Sequence, residues 1–275
     1  MFYGPTHANS LHLLRQYFTR YPEDASKVVL SIKGAFDRSA YVPDCSPEGI
    51  RKAVAECLGI LGGVKSIDIF ECARVDPKVP IETSVATLKE LIEEGKIGGY
   101  GLTEVNATTI RRAHAVHPVA AVEIELSIFT RHVLEENGVA ETCRDLGIPL
   151  IAYAPLDRGW LTGEIKSYFN LPAGDFRQKL PRFQPGAFEQ NVKLANAVHG
   201  IAQRKGCTVA QVALAWVTRH GAIPIPGATK MEKVVENCTL VELSDAEVEE
   251  IQYFIETLAI VGDRYPKAYQ SLLDL

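Results

Sequence analysis

The sequence has no excess of basic charge: 29 lysines and arginines stand against 34 aspartates and glutamates, a formal net charge of −5. That balance excludes the concentrated basic face that nucleic acid or an anionic membrane surface requires, so neither partner is expected. No stretch approaches ~18 unbroken apolar residues, so nothing reads as spanning a bilayer. The first residues lack a basic flank followed by an apolar run, so no secretory signal is read. The six cysteines (Cys45, Cys57, Cys72, Cys143, Cys207, Cys238) are scattered without C-x-x-C spacing. They read as reduced thiols of a cytoplasmic protein, most of them core fillers. G-x-G-x-x-G, the P-loop, G-x-S-x-G and H-E-x-x-H are all absent, which removes the usual signatures of an open nucleotide-binding sheet, a serine hydrolase and a zinc protease. His114 and His117 have no carboxylate or cysteine at ligand spacing, so they read as a solvated helix end and no metal is expected.

What is present is ample material for a core: 275 residues, 47% of them hydrophobic, read as one domain over residues 1–275. Residues 28–32 form a β-branched run without alternation, the pattern of a strand buried on both faces, and Lys33 stands at its C-terminal end. By itself such a lysine reads as a side chain reaching for water. Further strands are expected at residues 67–70, 97–102, 119–124, 149–154 and 222–225. Helices alternate with them. Ser46 followed by Pro47 opens one that ends at Gly62-Gly63, and Asn106, Thr208-x-x-Gln211 and Ser244-x-x-Glu247 cap others. A long Gly- and Pro-rich stretch from residue 156 to about residue 190 interrupts the rhythm, and loops of that length are usually functional or mobile. Six parallel strands alternating with helices fit a doubly wound sheet or a (β/α) barrel. The missing Gly-rich turn favours the barrel. So do the polar residues Lys33, Glu71, Thr103, Glu125 and Tyr153, which fall at the ends of many strands instead of one switch point.

Four ordered motifs resemble those of the aldo-keto reductases: residues 91–104 (LIEEGKIGGYGLTE), residues 151–163 (IAYAPLDRGWLTG), residues 210–216 (AQVALAW), and residues 225–230 (IPGATK) with Glu236-Asn237. Together they span nearly the whole chain. Within the family, Ser46-Pro47-Glu48-Gly49 and residues 70–77 and 180–183 look most like the fungal pyridoxal reductases. The resemblance implies a (β/α)8 TIM barrel, here with the first strand-helix unit and most of the second strand missing at the front. It implies a metal-free reduction of a small-molecule aldehyde, pyridoxal in the subgroup, with NADP as the cofactor. Tyr3 matches the proton-donating tyrosine and Lys33 the catalytic lysine. A phenol titrates near 10, and an adjacent ammonium brings it toward the working range. The family's aspartate has no counterpart before Tyr3, and Ala73 stands where many relatives have histidine. On the cofactor side, Tyr153 matches the aromatic that stacks on the nicotinamide. Thr103 and Glu123 stand at the carboxamide positions, although a carboxylate there accepts and does not donate. Leu156 and Arg158 match positions near the pyrophosphate, and Gly227, Lys233, Glu236 and Asn237 those at the adenosine end, with Lys233 and Lys230 suited to a 2′-phosphate. The resemblance leaves two outcomes open: an active reductase, or an impaired barrel that binds NADP weakly or acts only by association.

Overall fold

In the computed structural model, which describes residues 3–37, 40–270 and 272–273, the chain forms two compact units. The first comprises residues 1–123, 136–149 and 272–275, the second residues 124–135 and 150–271.

The first unit opens with α1 (Ser10–Arg20), capped by Asn9, whose side-chain oxygen accepts from the Leu11 and His12 backbone N–H groups. It buries Leu11 and Phe18 and packs on α2 (Pro47–Leu61). Between them lie β1 (Ser31–Gly34) and a hairpin of two-residue strands, β2 (Phe36–Asp37) and β3 (Val42–Pro43), too short to leave a periodic trace in the sequence. Ser46 accepts from the Gly49 N–H to start α2, with Pro47 at its first position, and Gly62 at φ 63° ends it. There follow β4 (Ile69–Cys72), α3 (Ile81–Glu93), β5 (Gly99–Thr103), α4 (Ala107–Val116), β6 (Ala121–Glu125) and α5 (Val139–Leu146). The strands pair in the order β1–β4–β5–β6, all parallel. Lys33 lies opposite Glu71, Glu71 opposite Gly101, and Thr103 opposite Glu123.

All six strands are displaced or trimmed by one to three residues relative to expectation, and two of these changes bear on the site. Residues 28–32 are not a doubly buried strand: Val28 and Val29 are exposed, and β1 starts only at Ser31. Before that point the Asp68 carboxylate accepts the Leu30 N–H, taking the place of a strand partner. The next strand runs over 69–72 instead of 67–70, which moves Glu71 from just past the expected strand end into β4. The thiols also divide: Cys45, Cys57 and Cys143 are buried, Cys72 and Cys207 half-buried and Cys238 exposed, all free.

In the second unit the end of β6 is followed by β7 (Leu150–Tyr153) and β8 (Ala222–Pro224), again parallel. The irregular stretch is a string of short 3-10 turns over residues 157–183, leading to α6 (Ala187–Lys205). Trp160 anchors it, its ring 5.7 Å from Phe129, 4.8 Å from Phe183 and 4.6 Å from Phe188, with all four buried. α7 (Val209–Arg219), α8 (Met231–Cys238), α9 (Asp245–Thr257) and α10 (Lys267–Gln270) complete the unit. After α9 the chain is tied back to α6. The Asn191 amide accepts from the Val261 N–H (2.9 Å) and donates to the Val261 carbonyl (2.9 Å), while Arg182 donates to the Gly262 carbonyl (3.3 Å). Among the described residues no helix is long and apolar enough to cross a membrane, and no group of metal-ligating side chains is found.

Candidate active site

In the first unit the strand register gathers a lysine and two carboxylates. Lys33 forms an ion pair with Glu123, and its Nζ lies 3.7 Å from Glu71 Oε2, with the lysine side chain only 15% exposed. Burial pulls the Lys33 ammonium down, but Glu71 and Glu123 outweigh it and hold the group above the ordinary lysine value. Burial, reinforced by Glu71, pushes the Glu123 carboxyl up to about 7 against the opposing pull of Lys33. Glu71 is fully enclosed, and each of its oxygens accepts a hydroxyl: Ser31 Oγ donates at 2.7 Å and Thr103 Oγ1 at 3.0 Å. Gly101 leaves the room this takes, since a methyl group there would lie 2.9 Å from Glu71 Cγ.

Tyr3 is 63% exposed, and its carbonyl accepts from the Ser10 N–H at 3.0 Å. Its phenol is among the charges that act on Lys33. Ala73, which the resemblance sets at the histidine position of many relatives, is completely buried and offers only a methyl group. The structure therefore brings together Lys33, Thr103 and Glu123, while the exposed Tyr3 acts on Lys33 through its charge. It adds Glu71, which the sequence marked as a polar strand-end residue without giving it a role. The available signal was a second carboxylate, Glu71 after Asp68, inside the otherwise apolar run of residues 67–73.

In the second unit Glu125 is the hub. It is fully buried and takes the Arg158 guanidinium in a fork at 2.7 and 2.8 Å, with the Thr130 hydroxyl at 3.2 Å and Arg264 at 3.6 Å. Burial works against its charge, and the Arg158, Arg264 and Arg182 guanidiniums prevail, keeping it below the usual carboxylate range. The Tyr153 hydroxyl lies 3.4 Å from Glu125 and 3.4 Å from the Tyr265 hydroxyl, and Arg158 stacks over the Tyr265 ring at 4.7 Å. Leu156 starts a left-handed turn, its carbonyl accepting from Gly159 and Leu161 while Asp157, Arg158 and Gly159 take φ of 44°, 56° and 105°. Asp157 is buried there, with Oδ1 3.5 Å from Arg182 and Oδ2 unpartnered, and burial raises it to about 6. Glu125 reads from sequence only as a polar strand-end residue, and Arg182, Arg264 and Tyr265 receive no role there, because each acts through side chains distant in the chain.

Further along, Lys233 pairs with Glu236 (2.9 Å) and Glu164 (3.1 Å) at the start of α8. Asn237 is half-buried on the same helix, and Gly227 is exposed with open space around it. The first turn of α8 has no side-chain cap, and Lys230 at its N-cap is exposed. Uncapped amides beside two lysines are a donor set that fits a phosphate.

Parallel strands alternating with helices, with a half-buried lysine at the end of β1 facing carboxylates and a hydroxyl from β4, β5 and β6, are an arrangement of the α/β barrel class. The sequence model of the aldo/keto reductase family matches residues 1–256, and the chain belongs to that family. A probable pyridoxal reductase 2 from Schizosaccharomyces pombe is 41% identical over 285 residues, covering 100% of this chain and 85% of that protein. A putative pyridoxal reductase from Saccharomyces cerevisiae is 38% identical over 292 residues, covering 97% and 83%. Among solved structures, a glycerol dehydrogenase from Gluconobacter oxydans superposes with a TM-score of 0.82 at 24% identity, covering 93% of this chain and 79% of that one. A thermostable aldo-keto reductase solved with the inhibitor epalrestat gives 0.67 at 18% identity, covering 88% and 76%. These two likenesses establish the TIM-barrel-like fold, and the family establishes an oxidoreductase.

Proposed function

We propose that the protein reduces an aldehyde carbonyl with NADPH, and that pyridoxal is its substrate and pyridoxine its product. The observation that carries the reading is Lys33: a half-buried ammonium, held charged by two carboxylates, within electrostatic reach of the Tyr3 phenol. The names carried by the two relatives at 41% and 38% identity support pyridoxal as the aldehyde. NADPH, when bound, supplies a hydride. Tyr3 delivers the proton to the carbonyl oxygen, and the Lys33 ammonium steadies the phenolate left behind. When the cofactor binds, Tyr153 would stack on the nicotinamide, Thr103 and Glu123 would serve the carboxamide, and Leu156 and Arg158 would flank the pyrophosphate. Glu236, Asn237 and the open Gly227 turn take the adenosine end. Lys230, Lys233 and the uncapped amides of α8 hold the 2′-phosphate, which favours NADPH over NADH.

The test is NADPH oxidation in the presence of pyridoxal, alongside NADPH binding by fluorescence titration. Turnover that saturates with pyridoxal and disappears in Lys33→Met, with NADPH binding retained, supports the reading. Binding without turnover at high enzyme concentration defeats it and favours the impaired barrel. That second outcome has its own basis in Ala73, which cannot donate to a carbonyl where a histidine would.

A further inference from the structure

We infer that Glu71 is a positioning residue for the reduction: from the middle of β4, its carboxylate fixes the Lys33 ammonium against the strand floor. The inference rests on Lys33 belonging to the reaction, as proposed above. Glu71 sits directly across from Lys33 in the β1–β4 register, so backbone pairing sets their separation. The carboxylate cannot swing away. Ser31 Oγ holds one oxygen at 2.7 Å from β1, and Thr103 Oγ1 holds the other at 3.0 Å from β5. On the far side, Gly101 replaces what would otherwise be a side chain, since a Cβ there would press on Glu71 Cγ at 2.9 Å and Oε1 at 3.1 Å. A buried carboxylate is expensive unless its oxygens are satisfied, and these oxygens are, by two hydroxyls with an ammonium close by. The arrangement therefore has the form of a built anion beside the lysine and not of a stray acid in the core.

The titratable groups that face Lys33 are Tyr3 from the segment before α1, Glu71 from β4 and Glu123 from β6. They divide the work. Glu123 gives the closer contact, but its charge fades as the pH falls through about 7. Glu71, tethered on both oxygens, is the partner whose position does not depend on Lys33 itself. A lysine pinned in this way presents its charge at one fixed point, which is what stabilisation of a developing phenolate requires.

The test reads Lys33 directly, without relying on turnover. Competitive acetylation of the folded protein across a pH series, quantified by mass spectrometry, gives the pH at which the Lys33 amine becomes nucleophilic. In the wild type, Lys33 resists labelling beyond the pH at which ordinary surface lysines react. In Glu71→Gln the Lys33 profile moves to lower pH by about one unit, equivalent to roughly tenfold more labelling at a fixed pH. Glu71→Asp restores part of the shift, and Thr103→Val, which removes one tether and leaves the carboxylate, gives a smaller shift in the same direction. Should Glu71→Gln fail to fold, Thr103→Val carries the same test. In steady-state assays Glu71→Gln lowers kcat while the KM for NADPH stays within about twofold, the split expected of a group acting on the chemical step. An unchanged Lys33 labelling profile in the folded variants overturns the inference whatever the activity. A shifted profile in a protein that reduces no aldehyde upholds the hold on Lys33 and overturns the proposed reduction instead.

Discussion

Replacing Glu123 by glutamine should change how the stability of the protein depends on pH, and the direction follows from the site. In the folded chain Glu123 is 3% exposed, and burial together with Glu71 raises its carboxyl from an ordinary 4.5 to about 7. Between those values the folded state keeps a proton that the unfolded chain has released. Glu123 therefore favours folding at the acidic end of the window, and that contribution is lost as the pH rises through 7. At ~1.4 kcal/mol per pH unit the loss amounts to about 3 kcal/mol across the window. Glutamine keeps the shape and cannot titrate, so Glu123→Gln should gain about 3 kcal/mol relative to wild type between pH 4.5 and pH 7.5. Asp157, raised to about 6, gives a slope of the same sign over its own window, but it is present in both proteins and cancels. Lys33 loses one carboxylate in the variant and keeps Glu71, and it stays protonated over this range, so it adds a constant offset. Urea denaturation of both proteins, followed by circular dichroism at half-unit pH steps, measures the difference. A difference that stays flat across the window would refute the assignment of the raised carboxyl to Glu123.

Three other outcomes are expected. Gly101→Ala would press a methyl group against Glu71 Cγ at 2.9 Å and the Ala121 carbonyl at 3.0 Å, costing about 1–3 kcal/mol in denaturant titrations. Arg158→Met leaves the buried Glu125 without its forked partner, and thermal or urea unfolding should show a loss of about 3–5 kcal/mol. Lys230→Ala should weaken NADPH binding by about 1.5 kcal/mol, roughly tenfold, and leave NADH binding unchanged in parallel fluorescence titrations.

The helices were the most legible part of the chain, because their boundaries are local chemistry. Ser46, Asn106, Thr208 and Ser244 each cap the helix expected of them through their own side chains. Strand limits were read less well. A strand exists only through its neighbours, and the pairing that begins β1 at Ser31 and extends β4 through Cys72 is set by residues some forty positions apart. The motifs pointed to Lys33, Thr103 and Glu123, and these three do converge, with Glu71 linking Lys33 to Thr103. Glu71 reads from sequence only as a polar residue at a strand end, since the two-residue shift of β4 depends on its partner strand. The Glu125 network was hidden for a related reason. Its members at residues 125, 158, 182 and 264 meet only once the long 3-10 stretch and the tail have folded back.

The double hydrogen bond between Asn191 and Val261 has a practical consequence for anyone who cuts, tags or transplants this chain. A helix side chain there does the work of a strand partner, and the segment it fixes brings Arg264 to Glu125 and lays Tyr265 against Arg158. The segment from residue 261 to residue 265 is thus a structural member of the second unit. A reporter or affinity handle belongs beyond that residue. A deletion ending at residue 260 would remove two partners from a buried acid and its arginine, and loop grafts from relatives must preserve the spacing between Asn191 and the residues it clasps.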